Sequence, residues 1–257
     1  MPRRLFIGTA GWAIPRGFAP QCGGSGTHLE RYARVFRGVE INSSFYRPHR
    51  ADTFAKWAAC TPPGFQFAVK VPRSITHELA LRRVRPALER FLAESAGLQE
   101  KRGPLLVQLP ASHWFDARVS GRLFELLRSR YDGAVVCEPR HVSWLGAGAD
   151  AVLARYQVAR VAADPARAPG LDRPGGWSGL VYFRLHGSPR TYWSRYDAAF
   201  IDGVARLLCG VPASVDAWCI FDNTASGAAM ENAQELAVRI DRGPEPASRR
   251  PRRRGAM

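Results

Sequence analysis

Short apolar runs alternate with longer segments of helical periodicity along the sequence, and this alternation constrains the fold more than any other feature. Eight runs have the length and composition of buried strands, and they cover residues 5–9, 39–42, 65–70, 105–108, 134–138, 158–162, 181–186 and 218–221. The intervening segments predict amphipathic helices at residues 28–36, 51–60, 86–98, 120–130, 149–156, 198–208 and 228–240. Strands that alternate with helices in this way indicate βαβ units and a parallel sheet.

Eight such units predict a single-domain α/β protein with the (β/α)8 architecture of a TIM barrel, over residues 1–241. An open doubly wound sheet is the alternative, but no strand is followed by the glycine-rich turn that opens a nucleotide-binding helix. The glycines at residues 8–11 lack that spacing and are expected to serve a tight turn from strand to loop. Residues 242–257 hold six arginines beside one acid, Glu245, and predict a disordered tail.

Composition narrows the class of protein and its compartment. No segment approaches the roughly 20 consecutive apolar residues of a membrane span, and residues 1–4 lead directly into a strand, so we expect a cytoplasmic protein without membrane contact. The five cysteines form no C-x-x-C pair and fit buried free thiols. No motif calls for a metal or a cofactor, and none is predicted. The formal net charge of +15 favours an anionic ligand or nucleic acid as partner.

Polar side chains recur near the ends of the predicted strands, on the face opposite to the apolar one. In the second strand Val39 and Ile41 share one face, which leaves Glu40 and Asn42 on the other. The same alternation points further polar residues inward: Lys70, Gln108, Glu138, Arg140, Arg184, His186 and, with an ambiguous phase, Asn223. Because barrel active sites lie at the C-terminal ends of the strands, we expect a functional site there.

The predicted inner residues carry an excess of positive charge. Lys70, Arg140 and Arg184 face two carboxylates, Glu40 and Glu138, and this imbalance suits an anionic ligand. The planar fork of arginine matches phosphate, so Arg140 and Arg184 are predicted to clamp the anion. The alternative is that these groups have a purely structural role and form only a salt-bridge network.

Proton transfer and nucleophilic chemistry point to other members of the set. Lys70 is one of only three lysines beside 34 arginines, and a desolvated lysine can act as base or nucleophile. His186, Glu138 and Glu40 are the further catalytic candidates. Aromatic residues in the loops suit a sugar or nucleobase, or else cap the core; the candidates for binding are Trp12, Tyr46 and Trp144.

Several motifs stand in the order seen in a known family. They are IGTAGW at 7–12, VEINSSFY at 39–46, FAVK at 67–70, TH at 76–77, VQLP at 107–110, EPRH at 138–141, RLHG at 184–187 and NA at 232–233. Over about residues 5–240 the chain resembles the YecE-like family, domain of unknown function 72. The resemblance implies a TIM barrel and no established reaction, and its motifs add His77 and His141 to the candidate binding residues. This chain departs in having Asp222 before Asn223, which adds a carboxylate, and Pro139 after Glu138.

These features favour an enzyme, a hydrolase or lyase, acting on a phosphate-bearing substrate such as a nucleotide or nucleic acid fragment. A noncatalytic nucleic-acid-binding protein is the first alternative, because the basic charge alone would attract a phosphate backbone. A metal-dependent hydrolase built on Glu, His and Asp is the second, although the cations would repel a divalent ion. Schiff-base chemistry at Lys70 is a further possibility.

Overall fold

The computed structural model describes residues 4–243. All but the first two residues of the predicted tail, 242–257, lie outside the described part, and the last helix ends at Arg242, one residue past the predicted boundary. Within residues 4–243, no helix is both long enough and apolar enough to cross a bilayer.

The structure is a single α/β domain built from ten strands and seven α-helices in the described residues. The strands are β1 (Leu5–Thr9), β2 (Gly38–Ile41), β3 (Gln66–Lys70), β4 (Arg102–Gln108), β5 (Val135–Glu138), β6 (Val158–Arg160), β7 (Ala162–Asp164), β8 (Gly175–Gly176), β9 (Leu180–Leu185) and β10 (Asp216–Phe221). The α-helices are α1 (His28–Tyr32), α2 (Ala51–Ala59), α3 (Arg85–Ser95), α4 (Ala117–Arg128), α5 (Ala147–Arg155), α6 (Ala198–Cys209) and α7 (Ala228–Arg242). Tighter helical turns cover Arg16–Cys22, Ser43–Phe45, Ala96–Lys101 and Val142–Leu145, and Ser74–Glu78 is a π-helical turn.

Each of the eight predicted apolar runs holds a strand, and each predicted helical segment holds a helix. Local side chains fix several helix starts: Asp116 accepts hydrogen bonds from the N–H groups of Arg118 and Val119 in α4, and Asp197 accepts one from the Phe200 N–H of α6. Thr27 and Glu30 form a reciprocal capping box at α1. The two-residue strand β8 was not predicted, because two glycines carry no apolar alternation.

The strands form two sheets, with the orders β1-β10-β9-β7 and β2-β3-β4-β5-β6-β8. All pairs are parallel except β6 with β8, which is antiparallel. The sheets approach each other at two places. Val161 alone separates β6 from β7, and its N–H donates to Cys137 O at 2.8 Å. Ala10 forms a parallel bridge with Glu40, and the Gly11 N–H donates to Glu40 O at 2.9 Å.

Alternate strand residues enter two separate apolar clusters. The larger cluster includes Val39 and Ile41 and packs the strands against the helices. The smaller one includes Ala68, Leu106 and Tyr182 from the opposite faces of β3, β4 and β9. Period-two alternation therefore divides the strands into a helix-facing side and an inner side, and the polar candidates share the inner side.

Two glycines near the end of β1 have different roles. Gly11 has a φ of +88°, which suits the expected turn out of the strand. Gly8 instead lies inside β1, where a Cβ atom would meet Gly38 O at 1.9 Å. The expectation of a turn is therefore wrong for Gly8, whose missing side chain permits the close approach of β1 and β2.

Candidate functional site

Arg184 is the centre of a buried charge cluster. Its Nε donates to Glu40 Oε2 at 3.0 Å, and its Nη2 donates to Glu40 Oε1 at 2.7 Å and Asp222 Oδ2 at 3.2 Å. Its Nη1 donates to Glu138 Oε2. The side chain is only 1% exposed, and all three of its nitrogens are engaged. The prediction that Arg184 clamps an anionic ligand is therefore wrong, because three carboxylates already occupy the guanidinium.

The cluster forms because four strands bring their C-terminal ends together. Glu40 belongs to β2, Glu138 ends β5, Arg184 lies near the end of β9, and Asp222 directly follows β10. Tyr182, two residues before Arg184 on the same face, donates its hydroxyl to Glu40 Oε2 at 3.0 Å. Burial alone would raise the pKa of Glu138, but the neighbouring Arg184, His186 and Arg140 hold it well below its usual value.

His186 and Asp222 form a hydrogen-bonded pair on the edge of this cluster. Their Nδ1 and Oδ2 atoms are 3.0 Å apart, and because a carboxylate only accepts, Nδ1 carries the proton. The Nε2 atom is buried without a hydrogen-bond partner and lies 3.5 Å from Glu138 Oε1. Burial lowers the pKa of His186, but Glu138 and the bond to Asp222 outweigh it and raise the value. Nε2 is thus a buried atom that could exchange a proton and that faces the Glu138 carboxylate.

Lys70, the last residue of β3, lies beside the cluster but outside its hydrogen bonds. Its Nζ is 4.0 Å from the centroid of the Phe45 ring, and the residue is 5% exposed. No carboxylate of residues 4–243 lies within 4.0 Å of this ammonium, and Glu40, Glu138 and Asp222 act on it only through their charge. Burial, followed by repulsion from Arg184, lowers the pKa of Lys70 to about 8 against the attraction of the carboxylates.

Arg140 is the more accessible arginine of the site. Its Nε donates to Glu138 Oε1 at 3.0 Å, while its side chain keeps 16% exposure. Burial, followed by the positive charges of Lys70 and Arg140, lowers the pKa of His77. The His77 ring also contacts Phe45, with centroids 5.0 Å apart, and its Nδ1 is 2.8 Å from Thr76 Oγ1. Lys70 and Arg140 therefore form the positively charged part of the site beside the buried cluster, and the lowered pKa of His77 favours its neutral form there.

The charge balance of the site differs from the one inferred from sequence. Asp222 is a third buried carboxylate, so Lys70, Arg140 and Arg184 are matched in number rather than in excess. Any net positive charge must come from His186, whose pKa is raised. The excess is therefore sensitive to pH instead of fixed.

Three of the amide candidates occupy different surroundings. Gln108 ends β4 beside Glu138 in register and is 5% exposed. Asn42 has a buried Oδ1 without a hydrogen-bond partner and, with Trp12, lines a cavity of about 500 Å³. Asn223 is fully buried, and its Nδ2 donates to Ser194 O and Asn232 Oδ1, each at 3.0 Å. Asn223 ties a loop to α7 and is removed from the binding candidates.

The remaining aromatic candidates separate by exposure. Tyr46 is 67% exposed and available to a ligand. Trp144 is wholly buried in the helix-facing core, where its Nε1 donates to His113 O at 3.0 Å. The prediction that Trp144 binds substrate is wrong, because the helical turn Val142–Leu145 directs the ring inward. His141 begins that turn, with its Nδ1 accepting from the Ser143 N–H at 3.2 Å, and this contact gives it a capping role.

Sequence reasoning missed three neighbours of the site. Tyr182 and Phe45 were not among the candidate residues. Asp222 was noted as an added carboxylate without a partner, since the phase at the end of β10 was ambiguous. Within the described chain, no group of three or more His, Cys, Asp or Glu side chains is arranged to hold a metal ion. The three carboxylates around Arg184 share a guanidinium instead.

The fold and this cluster define an α/β protein of the parallel-sheet class with a polar site at the carboxyl ends of its strands. The sequence profile of the family described as "Protein of unknown function DUF72" matches residues 6–254. The chain belongs to this DUF72 family.

Curated relatives carry the family designation UPF0759. The UPF0759 protein YecE of Escherichia coli K12 is 32% identical over 108 residues, which is 42% of this chain and 38% of the relative. The UPF0759 protein YunF of Bacillus subtilis is 29% identical over 148 residues, which is 54% of this chain and 52% of the relative. The matched region thus spans about half or less of these relatives' lengths.

Solved structures of the same family share the fold over most of the chain. A DUF72 protein from Enterococcus faecalis has a TM-score of 0.79 at 19% identity and covers 92% of this chain and 95% of that chain. A DUF72 protein from Thermotoga maritima has a TM-score of 0.75 at 25% identity, with 92% and 98% covered. These similarities establish family and fold, and they assign no activity.

Proposed function

We propose that this chain is an enzyme that performs acid–base chemistry on a small anionic, phosphate-bearing substrate at the C-terminal mouth of a closed (β/α)8 barrel. The observation that supports the proposal most strongly is a difference in bonding between Arg184 and its neighbours Lys70 and His186. Arg184 is fully neutralised by carboxylates, whereas the ammonium of Lys70 and the Nε2 of His186 lack hydrogen-bond partners among the described residues.

The two junctions between the sheets support the closed barrel. If β6 and β7 act as one strand through Val161, and β1 adjoins β2 through the bridge between Ala10 and Glu40, the strand order returns to its start. This order has eight parallel positions, as a TIM barrel requires. The carboxyl ends of all eight strands then surround one mouth, which agrees with the meeting of β2, β5, β9 and β10 at the charge cluster.

Lys70 and Arg140 provide the anion-binding half of the proposed site. The ammonium of Lys70 has no carboxylate within 4.0 Å in the described chain. Arg140 uses its Nε on Glu138 and retains partial exposure. A phosphate group offers several acceptor oxygens and negative charge, so it can bind both cations at once. Tyr46, exposed at the same end of the strands, can stack on a sugar or base attached to that phosphate.

His186 provides the proton-transfer half. Its bond to Asp222 fixes the ring and places the Nδ1 proton, which leaves Nε2 to accept or donate. Because the pKa of His186 is raised, a larger fraction of its imidazole is protonated near neutral pH than in an ordinary histidine. Glu138, 3.5 Å from Nε2, stabilises the imidazolium rather than acting as an acid, since its own pKa is strongly lowered.

Calorimetric titration with inorganic phosphate, pyrophosphate and adenosine monophosphate tests the anion site. We expect Arg140→Gln to weaken binding by about tenfold or more, the loss of roughly 1.4 kcal/mol. The matched control is Arg118→Gln, which changes an exposed arginine on α4 and should leave affinity unaltered. Melting temperature checks that each variant is folded. Equal affinity of the two variants would contradict the proposed site.

Salt dependence separates this proposal from nonspecific nucleic-acid binding. The formal net charge of +15 would attract a phosphate backbone through many surface arginines, and such binding weakens steeply with salt. A ligand held by Lys70 and Arg140 in a partly buried site should lose much less affinity. Binding of an oligonucleotide that is salt-sensitive and unaffected by Arg140→Gln would favour the noncatalytic alternative.

A further inference from the structure

Two buried lysines of this chain differ in how their ammonium groups are bonded. Lys101, at 8% exposure, donates to Ala58 O at 2.7 Å, Thr61 O at 2.6 Å and Thr61 Oγ1 at 3.2 Å. These three acceptors match the three protons of its ammonium. Lys70 is as deeply buried, but its Nζ forms no hydrogen bond to any residue in 4–243 and contacts the Phe45 ring. Lys101 has the surroundings of a structural lysine, and Lys70 does not.

The surroundings of Lys70 increase the fraction of its neutral amine relative to an exposed lysine. The nearby guanidinium of Arg184 repels the ammonium, and burial removes the water that would stabilise it. The backbone is held in place, because Ser44 Oγ donates to Lys70 O at 2.7 Å and to Ile41 O at 3.0 Å. A partly neutral amine at a fixed strand end, near the carboxylates of the charge cluster and bound to none of them, has the requirements of a nucleophile.

We propose that Lys70 forms an imine with the carbonyl carbon of the substrate, so that the substrate class is aldehydes and ketones that carry an anionic group. The proposal rests on the anion site suggested above and assigns it a substrate. Arg140 would hold the anionic group while the carbonyl approaches Nζ.

The reaction needs no further reactant. The lone pair of Nζ attacks the carbonyl carbon, the carbonyl π pair moves to oxygen, and one proton passes from nitrogen to oxygen to give a carbinolamine. Protonated His186 then supplies a proton to the hydroxyl group, the C–O bond breaks, and water leaves. The nitrogen lone pair forms the C=N bond, which leaves a protonated imine and neutral His186.

Reductive trapping tests the imine directly. The full chain is incubated near neutral pH with pyridoxal 5′-phosphate or glyoxylate, reduced with borohydride, digested and mapped by mass spectrometry. The sequence has only three lysines, Lys56, Lys70 and Lys101, so each can be followed separately. Lys56 is exposed on α2 and serves as the internal control. We expect Lys70 to be labelled roughly tenfold faster than Lys56 despite its burial, since a larger fraction of it is neutral amine.

The variants and a third probe separate this proposal from the anion site. Lys56→Gln should keep the fast labelling, and Lys70→Arg should abolish it while keeping the melting temperature. Propionaldehyde lacks the anionic group and should label Lys70 more slowly than glyoxylate. If phosphate binds in an Arg140-dependent manner but both anionic aldehydes label Lys56 and spare Lys70, the imine is refuted and the anion site stands. If propionaldehyde labels Lys70 as fast as glyoxylate, the imine stands and the anion site fails.

Discussion

Replacing Lys70 with methionine should make the protein more stable. The pKa of Lys70 falls from the ordinary 10.5 to about 8, which means that folding disfavours its charged form by about 2.5 pKa units. At about 1.4 kcal/mol per unit, the ammonium costs the folded state about 3 kcal/mol near neutral pH. Methionine has no charge to bury, keeps an unbranched chain and can contact the Phe45 ring through sulfur.

The gain should depend on pH with a defined sign. Between about 8 and 10.5 the unfolded chain binds more protons at Lys70 than the folded chain, so the wild type becomes more stable as pH rises through this window. Lys70→Met lacks this dependence. The variant should therefore exceed the wild type by up to about 3 kcal/mol below pH 8, and the difference should vanish above 10.5.

Urea unfolding followed by circular dichroism over this pH range measures the effect. We expect the midpoint to rise with little change in the denaturant slope, and the melting temperature to rise by roughly 6 to 12 °C near neutral pH. Lys101→Met is the matched control, because it removes an ammonium that saturates carbonyl groups and should lower stability by about 1–3 kcal/mol. If Lys70→Met is less stable than the wild type below pH 8, the ammonium is favourably bound and the reasoning is refuted.

Three further substitutions test other parts of the site. Arg184→Met should lower the free energy of unfolding by about 3–5 kcal/mol in urea titrations, because it leaves buried carboxylates unpaired. Unchanged stability would contradict the stabilising role of the Arg184 ion pairs. His186→Gln should remove a stabilising contribution that is complete below pH 6.5 and is lost as pH rises through the raised pKa, so melting curves of wild type and variant should converge at higher pH. Trp144→Ala should cost about 3–5 kcal/mol in the same urea titrations and leave phosphate affinity unchanged in calorimetry, whereas altered affinity would return this ring to the binding site.

The strands and their inner faces were predictable because they follow from short-range patterns. A buried parallel strand needs a short apolar run, and alternation then decides which residues face the helices. Val39 and Glu40 illustrate both statements, since one enters the helix-facing core and the other lies in the charge cluster. Junctions were less predictable: the run 158–162 contains Val161, where pairing changes from β5 to β9, and nothing in its composition marks that change.

The partners of the inner residues could not be predicted from sequence. The alternation along a strand shows which face a side chain is on, but it does not show how far that side chain lies from residues on other strands. Arg140 and Arg184 have the same residue type and similar positions at strand ends, yet one is accessible and the other is fully engaged. Trp144 was misassigned for a related reason. Its segment lacks regular periodicity, and the short helical turn that buries the ring becomes visible only with its contacts to His113 and Phe115.

Asp222 connects the buried arginine, Arg184, with the histidine of the site, His186. With Glu40 and Glu138 it completes the set of three carboxylates that holds Arg184, and the same Oδ2 atom binds the Nδ1 of His186. A neutral side chain at this position would accept fewer charge-assisted bonds and would remove part of the support that raises the pKa of His186. The carboxylate therefore links the guanidinium of Arg184 to the imidazole of His186. Arg184 and His186 take up the hydrogen bonds of Asp222, which acts on Lys70 only through its charge.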